Sequence, residues 1–339
     1  MHEYQFLSLL FVLFFSPTVD SEGGFSNADA YAAFKNEPAY IADPTPARKE
    51  YYDAYNKTLD HWGADYEELY VPTSKGMAHV ITSGPKDGVP VILMHGMAAS
   101  STMWYPNAKP LSRQYRLFAI DLIIEPGKSY ITEEFKNLHQ IAEWYQEICD
   151  QLNLDSYHII GTSRGGWLAT DLAMKSDKTR SLILLSPVQT LMWMPPSMGL
   201  AKNMFNIFYS KEKRAKRTME TLSNDPSKLE KDYVDQYHLA LENDTLRKFV
   251  IQMRPFPRKE LEQLEAPTLL LIGDRDLFNT KTAIRIGRTF IPNIEAEVIH
   301  NSGHFLSIDQ TEQVNNRMLE FMRKVDDGIA HNKKLAQEK

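Results

Sequence analysis

From about Glu67 onward, apolar residues fall into short runs separated by stretches with helical spacing. Leu69-Tyr70-Val71 and Ala78-His79-Val80-Ile81 flank Ser74-Lys75-Gly76 and predict a hairpin. Val91-Ile92-Leu93-Met94-His95 is a short continuous apolar run, as expected of a buried parallel strand. Similar runs recur at 116–122, 158–161, 181–185, 268–272 and 295–299. Helical stretches intervene at 137–152, 164–175, 280–290 and 310–325. Strands alternating with helices predict an α/β fold on a mostly parallel, doubly wound sheet with right-handed crossovers.

The alternation breaks once, between Pro187 and Glu265, where the pattern reads as helices at 196–209, 212–221 and 228–241. An insertion of this kind, here after the sixth predicted strand, lies over the carboxyl ends of the strands, where ligands bind. The expected organisation is a core of residues 51–187 and 266–328 with a helical cap at 188–265. Residues 22–50, rich in Ala, Pro, Asn and Glu without a sustained period, read as a linker or arm, and the polar stretch 329–339 as a frayed tail. Residues 1–21 read as a signal or apolar N-terminal segment. The run Phe6 to Phe15 is too short to span a bilayer, and Val19-Asp20-Ser21 offers cleavage positions. Met1 to Gln5 lacks the Lys or Arg of a typical signal, so an uncleaved segment or an upstream misassigned start stands as the alternative. Export is favoured over a cytoplasmic location on this ground alone.

The net charge of -6 gives no reason to expect nucleic acid or an anionic membrane as a partner. The basic cluster from Lys211 to Arg217 reads as a solvated helix face. The single cysteine, Cys149, excludes an intramolecular disulfide and a thiolate-rich metal site, and its helical setting suggests a packed core thiol.

Chemistry enters at Gly161-Thr162-Ser163-Arg164-Gly165, between a strand-like run and a helical stretch. Composition alone predicts about 0.05 Gly-x-Ser-x-Gly matches in such a chain, so the motif needs context. A glycine-rich turn capped by Ser163 is the plain reading. The strand–turn–helix setting favours a nucleophile elbow, a turn sharp enough to hold one hydroxyl clear of the fold. A serine nucleophile needs a base and a carboxylate to orient that base, in the chain order serine, acid, histidine. Asp274 and Asp276, in the loop after the run 268–272, are near-equal candidates for the acid. Among ten histidines, His304 stands out in the Gly-containing loop after the last strand, with His300 as competitor. His95-Gly96-Met97 follows an early strand. The Met97 and Arg164 backbone N–H groups are the candidate oxyanion donors, Gly96 supplies the turn and His95 braces the loop.

With these segments in place, the chain resembles the α/β-hydrolase superfamily, and more closely bacterial carboxylesterases of the type used to resolve naproxen esters. The likeness runs from about Tyr51 to about Val325 and is carried by Tyr51-Tyr52-Asp53-Ala54-Tyr55-Asn56, Ser83-Gly84-Pro85-Lys86-Asp87, the segment from Ser100 to Asn107, and Ile294 to Ile299. The resemblance implies Ser163 as nucleophile, His304 as base and Asp276 as acid. It implies hydrolysis of a carboxylic ester through an acyl-enzyme, with a small-molecule ester as partner and no metal or organic cofactor. Two positions depart from the family pattern. Arg164 follows the nucleophile, where its charge could favour a negative substrate group. The preferred reading is that it points away and pairs with a carboxylate. The common Asp-x-x-Gly-x-Gly-x-Ser segment appears as Asp121 to Ser129, with Ile124 at the first glycine and one extra residue. Met192, Trp193, Met194, Phe205 and Phe208 suggest an adaptable apolar acyl pocket, with ordinary packing of cap on core as the alternative. An acyltransferase or C–C bond hydrolase would use the same triad, and a non-catalytic binding protein is the alternative of a different class.

Overall fold

The computed structural model describes residues 30–195, 211–242 and 253–337. In chain order the strands are β1 (Tyr66–Thr73), β2 (Gly76–Ser83), β3 (Val89–Met94), β4 (Tyr115–Ile120), β5 (Tyr130–Ile131), β6 (Tyr157–Thr162), β7 (Thr179–Leu185), β8 (Thr268–Gly273) and β9 (Ile294–Ile299). The helices are α1 (Ala39–Ala42), α2 (Pro46–Leu59), α3 (Tyr105–Ser112), α4 (His139–Gln151), α5 (Arg164–Lys175), α6 (Lys211–Leu222), α7 (Lys231–Glu242), α8 (Arg258–Leu261), α9 (Lys281–Phe290), α10 (Leu306–Asp309) and α11 (Thr311–Gln337).

The sheet runs in the order β1-β2-β4-β3-β6-β7-β8-β9, with β5 paired to β2. The β1–β2 hairpin is antiparallel with Thr73 opposite Gly76, so Ser74-Lys75 form its two-residue turn. From β4 to β9 every pairing is parallel. All six residues of β4, β6 and β8 are buried, the burial on both faces that their unbroken apolar runs require. On α4 the buried positions Ile141, Trp144, Tyr145 and Ile148 follow the i, i+3, i+4, i+7 pattern of one helix face. Cys149 packs beside them, and burial pushes its thiol up to about 12, which makes it an inert core group.

The α/β-hydrolase architecture is as expected, and several boundaries move. The two-residue strand β5 adds one to the count, so the cap insertion follows the seventh strand in chain order. Part of the stretch read as an arm is ordered: Tyr31 packs edge-on against Phe118 at 5.8 Å, and α2 begins at Pro46. Proline at the first helical position satisfies the helix start while hiding it from a search for period. The stretch read as a frayed tail continues α11 to Gln337, because Ala330, Lys334, Leu335 and Ala336 are strong helix formers and no proline intervenes. Of the cap, α6 and α7 match two expected helices; residues 196–209 and the N-terminal segment lie outside the described residues. Among the described residues no helix is long and apolar enough to cross a membrane.

Packing is tight where α5 crosses the sheet. A Cβ on Gly165 would lie 2.2 Å from the Met94 carbonyl oxygen, and one on Gly161 would lie 2.4 Å from that of Gly165. Gly165→Ala is therefore expected to lower the stability of the folded protein by about 3 kcal/mol, the upper end of an overpacking cost. A thermal or urea melt would show it, and an unchanged midpoint would contradict the packing described.

Candidate active site

Four loops at the carboxyl edge of the parallel strands carry the expected residues. Ser163 links β6 to α5 with φ 53° and ψ -119°, outside the regions open to an ordinary L-residue. The sheet holds this conformation: the Ser163 N–H donates to Leu185 O at 3.0 Å, and its carbonyl accepts from Gly166 and Val188, both at 3.1 Å. The hydroxyl makes no capping hydrogen bond to α5, so the plain reading of Ser163 as a helix cap does not hold.

His304 follows β9, and its Nδ1 lies 3.1 Å from Asp276 Oδ1 in the loop after β8. The same oxygen accepts the Phe278 N–H at 2.9 Å, and Oδ2 accepts the Asn279 amide at 2.9 Å. Burial alone would raise the Asp276 carboxyl, but the His304 charge and these hydrogen bonds outweigh it and hold the group below its ordinary value. An ionised carboxylate only accepts, so in the neutral ring the proton sits on His304 Nδ1 and Nε2 keeps its lone pair. Asp274 turns elsewhere, accepting from the Ser302 N–H at 3.1 Å and meeting the exposed His300 at 3.4 Å. The pairs Asp276–His304 and Asp274–His300 thus separate the rivals. No hydrogen bond joins Ser163 to His304 among the described residues, and such contacts often tighten only when substrate is bound.

The His304 loop is built jointly with the cap. The His304 N–H donates to Leu222 O, at the end of α6, at 2.7 Å. Buried Asp309 accepts from Gly303 N at 2.7 Å, Asn224 N at 2.8 Å and Ser223 Oγ at 2.5 Å. On the other side, Gln236 of α7 donates to Ser100 Oγ at 2.8 Å and accepts from Thr102 Oγ1 at 2.8 Å.

The loop after β3 is braced as expected by His95. Its Nε2 accepts the Leu122 N–H at 2.8 Å, so Nδ1 carries the proton and donates to Gly96 O at 2.8 Å. Burial lowers its pKa and favours this neutral form. The positive φ of the loop falls on Ala98, at 56°, and not on Gly96. Gly96 provides clearance instead, since a Cβ there would come within 3.3 Å of Ser163 Cβ. The N–H groups on either side of Met97 are engaged: Gly96 with Met103 Sδ at 3.5 Å, and Ala98 with Glu125 Oε2 at 2.9 Å. Arg164 turns its buried guanidinium to Glu125, the carboxylate pairing expected of it.

Asp121 organises the departing family segment. Its carboxylate accepts the N–H groups of Ser101 at 2.7 Å and Lys128 at 2.8 Å and the Tyr55 hydroxyl at 3.2 Å, and it meets His79 Nδ1 at 2.9 Å. His79 Nε2 lies 2.8 Å from Glu68, which also takes the Lys128 ammonium at 2.5 Å. Of the five expected pocket residues, Met192 packs against the α/β core and accepts a hydrogen bond from Thr280 at 3.6 Å. Trp193 is 60% exposed, the reverse of a buried pocket wall, and Met194 is also exposed. Phe205 and Phe208 lie outside the described residues. Glu125, Gln236, Asp309 and the His79 cluster were not picked out from the sequence. Glu125 carried a signal, as the one charge among Ile123, Ile124 and Pro126.

A crossing-strand elbow, a carboxylate-held histidine two loops away and a helical insertion above them define an α/β hydrolase. A family profile described as alpha/beta hydrolase fold matches residues 89–229. The uncharacterized carboxylesterase nap of Bacillus subtilis strain 168 is 33% identical over 282 residues, covering 80% of this chain and 91% of that protein. Carboxylesterase YbfK of the same organism is 30% identical over 80% of this chain and 93% of its own length. The crystal structure of naproxen esterase (carboxylesterase NP) from Bacillus subtilis superposes with a TM-score of 0.76 at 30% identity, covering 82% of this chain and 99% of that one. The chain belongs to the α/β-hydrolase family, and these bacterial carboxylesterases are among its relatives.

The His79 cluster sets a pH dependence. Burial would raise Glu68, but the His79 hydrogen bond and charge and the Lys128 ammonium lower it to about 2. Burial would lower His79, but Asp121 and Glu68 raise it above its ordinary value. The Glu68 contribution is fully present above about pH 4.3, the value of a free glutamate, and is lost as pH falls. The His79 contribution is fully present below about pH 6.5 and is lost as pH rises through its folded value. The stability advantage of the native protein over Glu68→Gln is thus expected to peak between these values. It should shrink towards pH 2, and thermal melts across pH would contradict the assignment if the offset stayed constant.

Proposed function

We propose that the protein is a serine carboxylic-ester hydrolase acting through an acyl-enzyme. The observation that carries this reading is the Ser163 elbow on the same sheet edge as the Asp276–His304 pair. The carboxylesterase relatives at 30–33% identity supply the reaction class. In this reading Ser163 Oγ attacks the ester carbonyl while His304 Nε2 takes its proton. Asp276 holds the imidazole tautomer and stabilises the imidazolium. The Met97 and Arg164 backbone N–H groups receive the developing oxyanion, a contribution of about 3 kcal/mol per donor. His304 then protonates the leaving alcohol and activates the water that cleaves the acyl-enzyme. The reading draws on no cofactor. Similarity to a naproxen esterase supports small to medium apolar or aryl esters as the substrate class.

Ser163→Ala and His304→Ala should each remove nearly all turnover of a short p-nitrophenyl ester while the fold survives. A fluorophosphonate probe should label Ser163 in the native protein and spare both variants. Asp276→Asn should lower kcat by about 10⁴-fold, as loss of the correct tautomer does elsewhere, whereas Asp274→Asn should stay within about tenfold of the native rate. The opposite ranking would transfer the acid role to Asp274.

A further inference from the structure

The two proposed oxyanion donors sit on different segments. Arg164 N–H opens α5, and Met97 N–H belongs to the loop after β3. Their separation must be held constant for both to reach one oxygen. The glycine packing brings the segments together, but it does not fix how the peptide planes beyond Gly96 are turned. That orientation depends on Ala98, whose φ of 56° is strained for a residue with a Cβ. The hydrogen bond from Ala98 N–H to Glu125 Oε2 at 2.9 Å holds it there. The other oxygen of the same carboxylate pairs with the Arg164 guanidinium, and both side chains are only 4% exposed. One carboxylate therefore joins the loop that carries one donor to the residue that carries the other.

We propose that the Glu125–Arg164 pair is a positioning device for the oxyanion site, setting the Met97 peptide against the Arg164 peptide across the nucleophile. The proposal rests on the serine-esterase reading and deepens it. Burying an ion pair is a poor way to add stability, since an apolar pair of similar volume does as well. The geometric service to the loop gives the pair a purpose. The contacts of the pair run to each other and to the Ala98 N–H. The pair acts through two backbone N–H groups, so its removal should weaken transition-state binding more than substrate binding.

Four variants test this in the full-length protein: Glu125→Gln, Arg164→Met, Arg164→Lys and the double variant Glu125→Leu/Arg164→Met. The double variant leaves no lone buried charge, so it is read if a single variant fails to fold. In folded variants, kcat on a p-nitrophenyl ester should fall about 10- to 100-fold with KM within about threefold, the pattern of a lost transition-state interaction. Affinity for an aryl trifluoromethyl ketone, which forms a tetrahedral adduct with the serine, should fall in parallel. Arg164→Lys should retain more activity than Arg164→Met. In the double variant, which leaves no net change of charge, the pH dependence of kcat/KM should be unmoved, because His304 is hydrogen-bonded to Asp276 and not to the pair. A folded double variant with native kcat, a raised KM at unchanged kcat, or a shifted pH profile would overturn the proposal. Native protein that neither turns over the ester nor takes up a fluorophosphonate at Ser163 would instead fail the esterase reading itself.

Discussion

The backbone of Ser163 is the constraint on which the remainder of the site depends. A residue with a side chain at φ 53° and ψ -119° costs about 1–3 kcal/mol relative to relaxed backbone. The chain tolerates this because the neighbours over-determine it. Ile159 and Ile160 of β6 and Ile92 and Leu93 of β3 are fully buried, each contributing about 1.5–3 kcal/mol. Those strands fix where β6 ends, and the contact of Gly165 with the Met94 and His95 carbonyls fixes where α5 begins. Between two fixed ends one residue must turn, and the turn leaves its hydroxyl outside both elements. Packing in the sheet interior thereby sets a single hydroxyl apart from both elements.

Around that turn, buried carboxylates do the work of joining loops. Asp121 gathers N–H groups from Ser101 and Lys128, Glu125 joins Ala98 to Arg164, Asp276 gathers Phe278, Asn279 and His304, and Asp309 gathers Gly303 with Ser223 and Asn224. A carboxylate suits this because it offers two oxygens and about four acceptor directions, while loops present N–H groups that no strand or helix satisfies. Leaving such donors buried and unpaired would cost about 1–3 kcal/mol each. Each bridge therefore both satisfies the loop and fixes its path.

The sheet and the motif-bearing loops were legible because their signals are local. An apolar run such as Val91 to Met94 declares a buried strand, and Gly161 and Gly165 flank Ser163 at a spacing that only the sharp turn needs. Asp276 was separable from Asp274 only through the family resemblance, since two acids two residues apart look alike until the loop's direction is known, whereas His304 stands out from His300 by its place in the Gly-containing loop. The bridges were not legible. Gln236 and the Ser100–Thr102 segment are more than a hundred residues apart in the chain. The turn in the early loop was assigned to Gly96 on conformational freedom. In the folded protein a hydrogen bond holds Ala98 in that conformation, and the glycine is required for space. Local preference identifies which residues can turn, whereas tertiary contacts choose which one does.

The anchoring of the cap limits how it can move. Leu222 O receives the His304 and Phe305 N–H groups, and Asp309 ties the following residues to Gly303. Gln236 fastens α7 to Ser100 and Thr102, next to the loop that carries Met97. A rigid swing of α6 and α7 away from the sheet would strip hydrogen bonds from the histidine loop and disturb the early loop together. At about 1 kcal/mol per hydrogen bond, and more for those to Asp309, such an opening is costly as well as disarming. These two helices are thus part of the scaffold that holds the His304 loop.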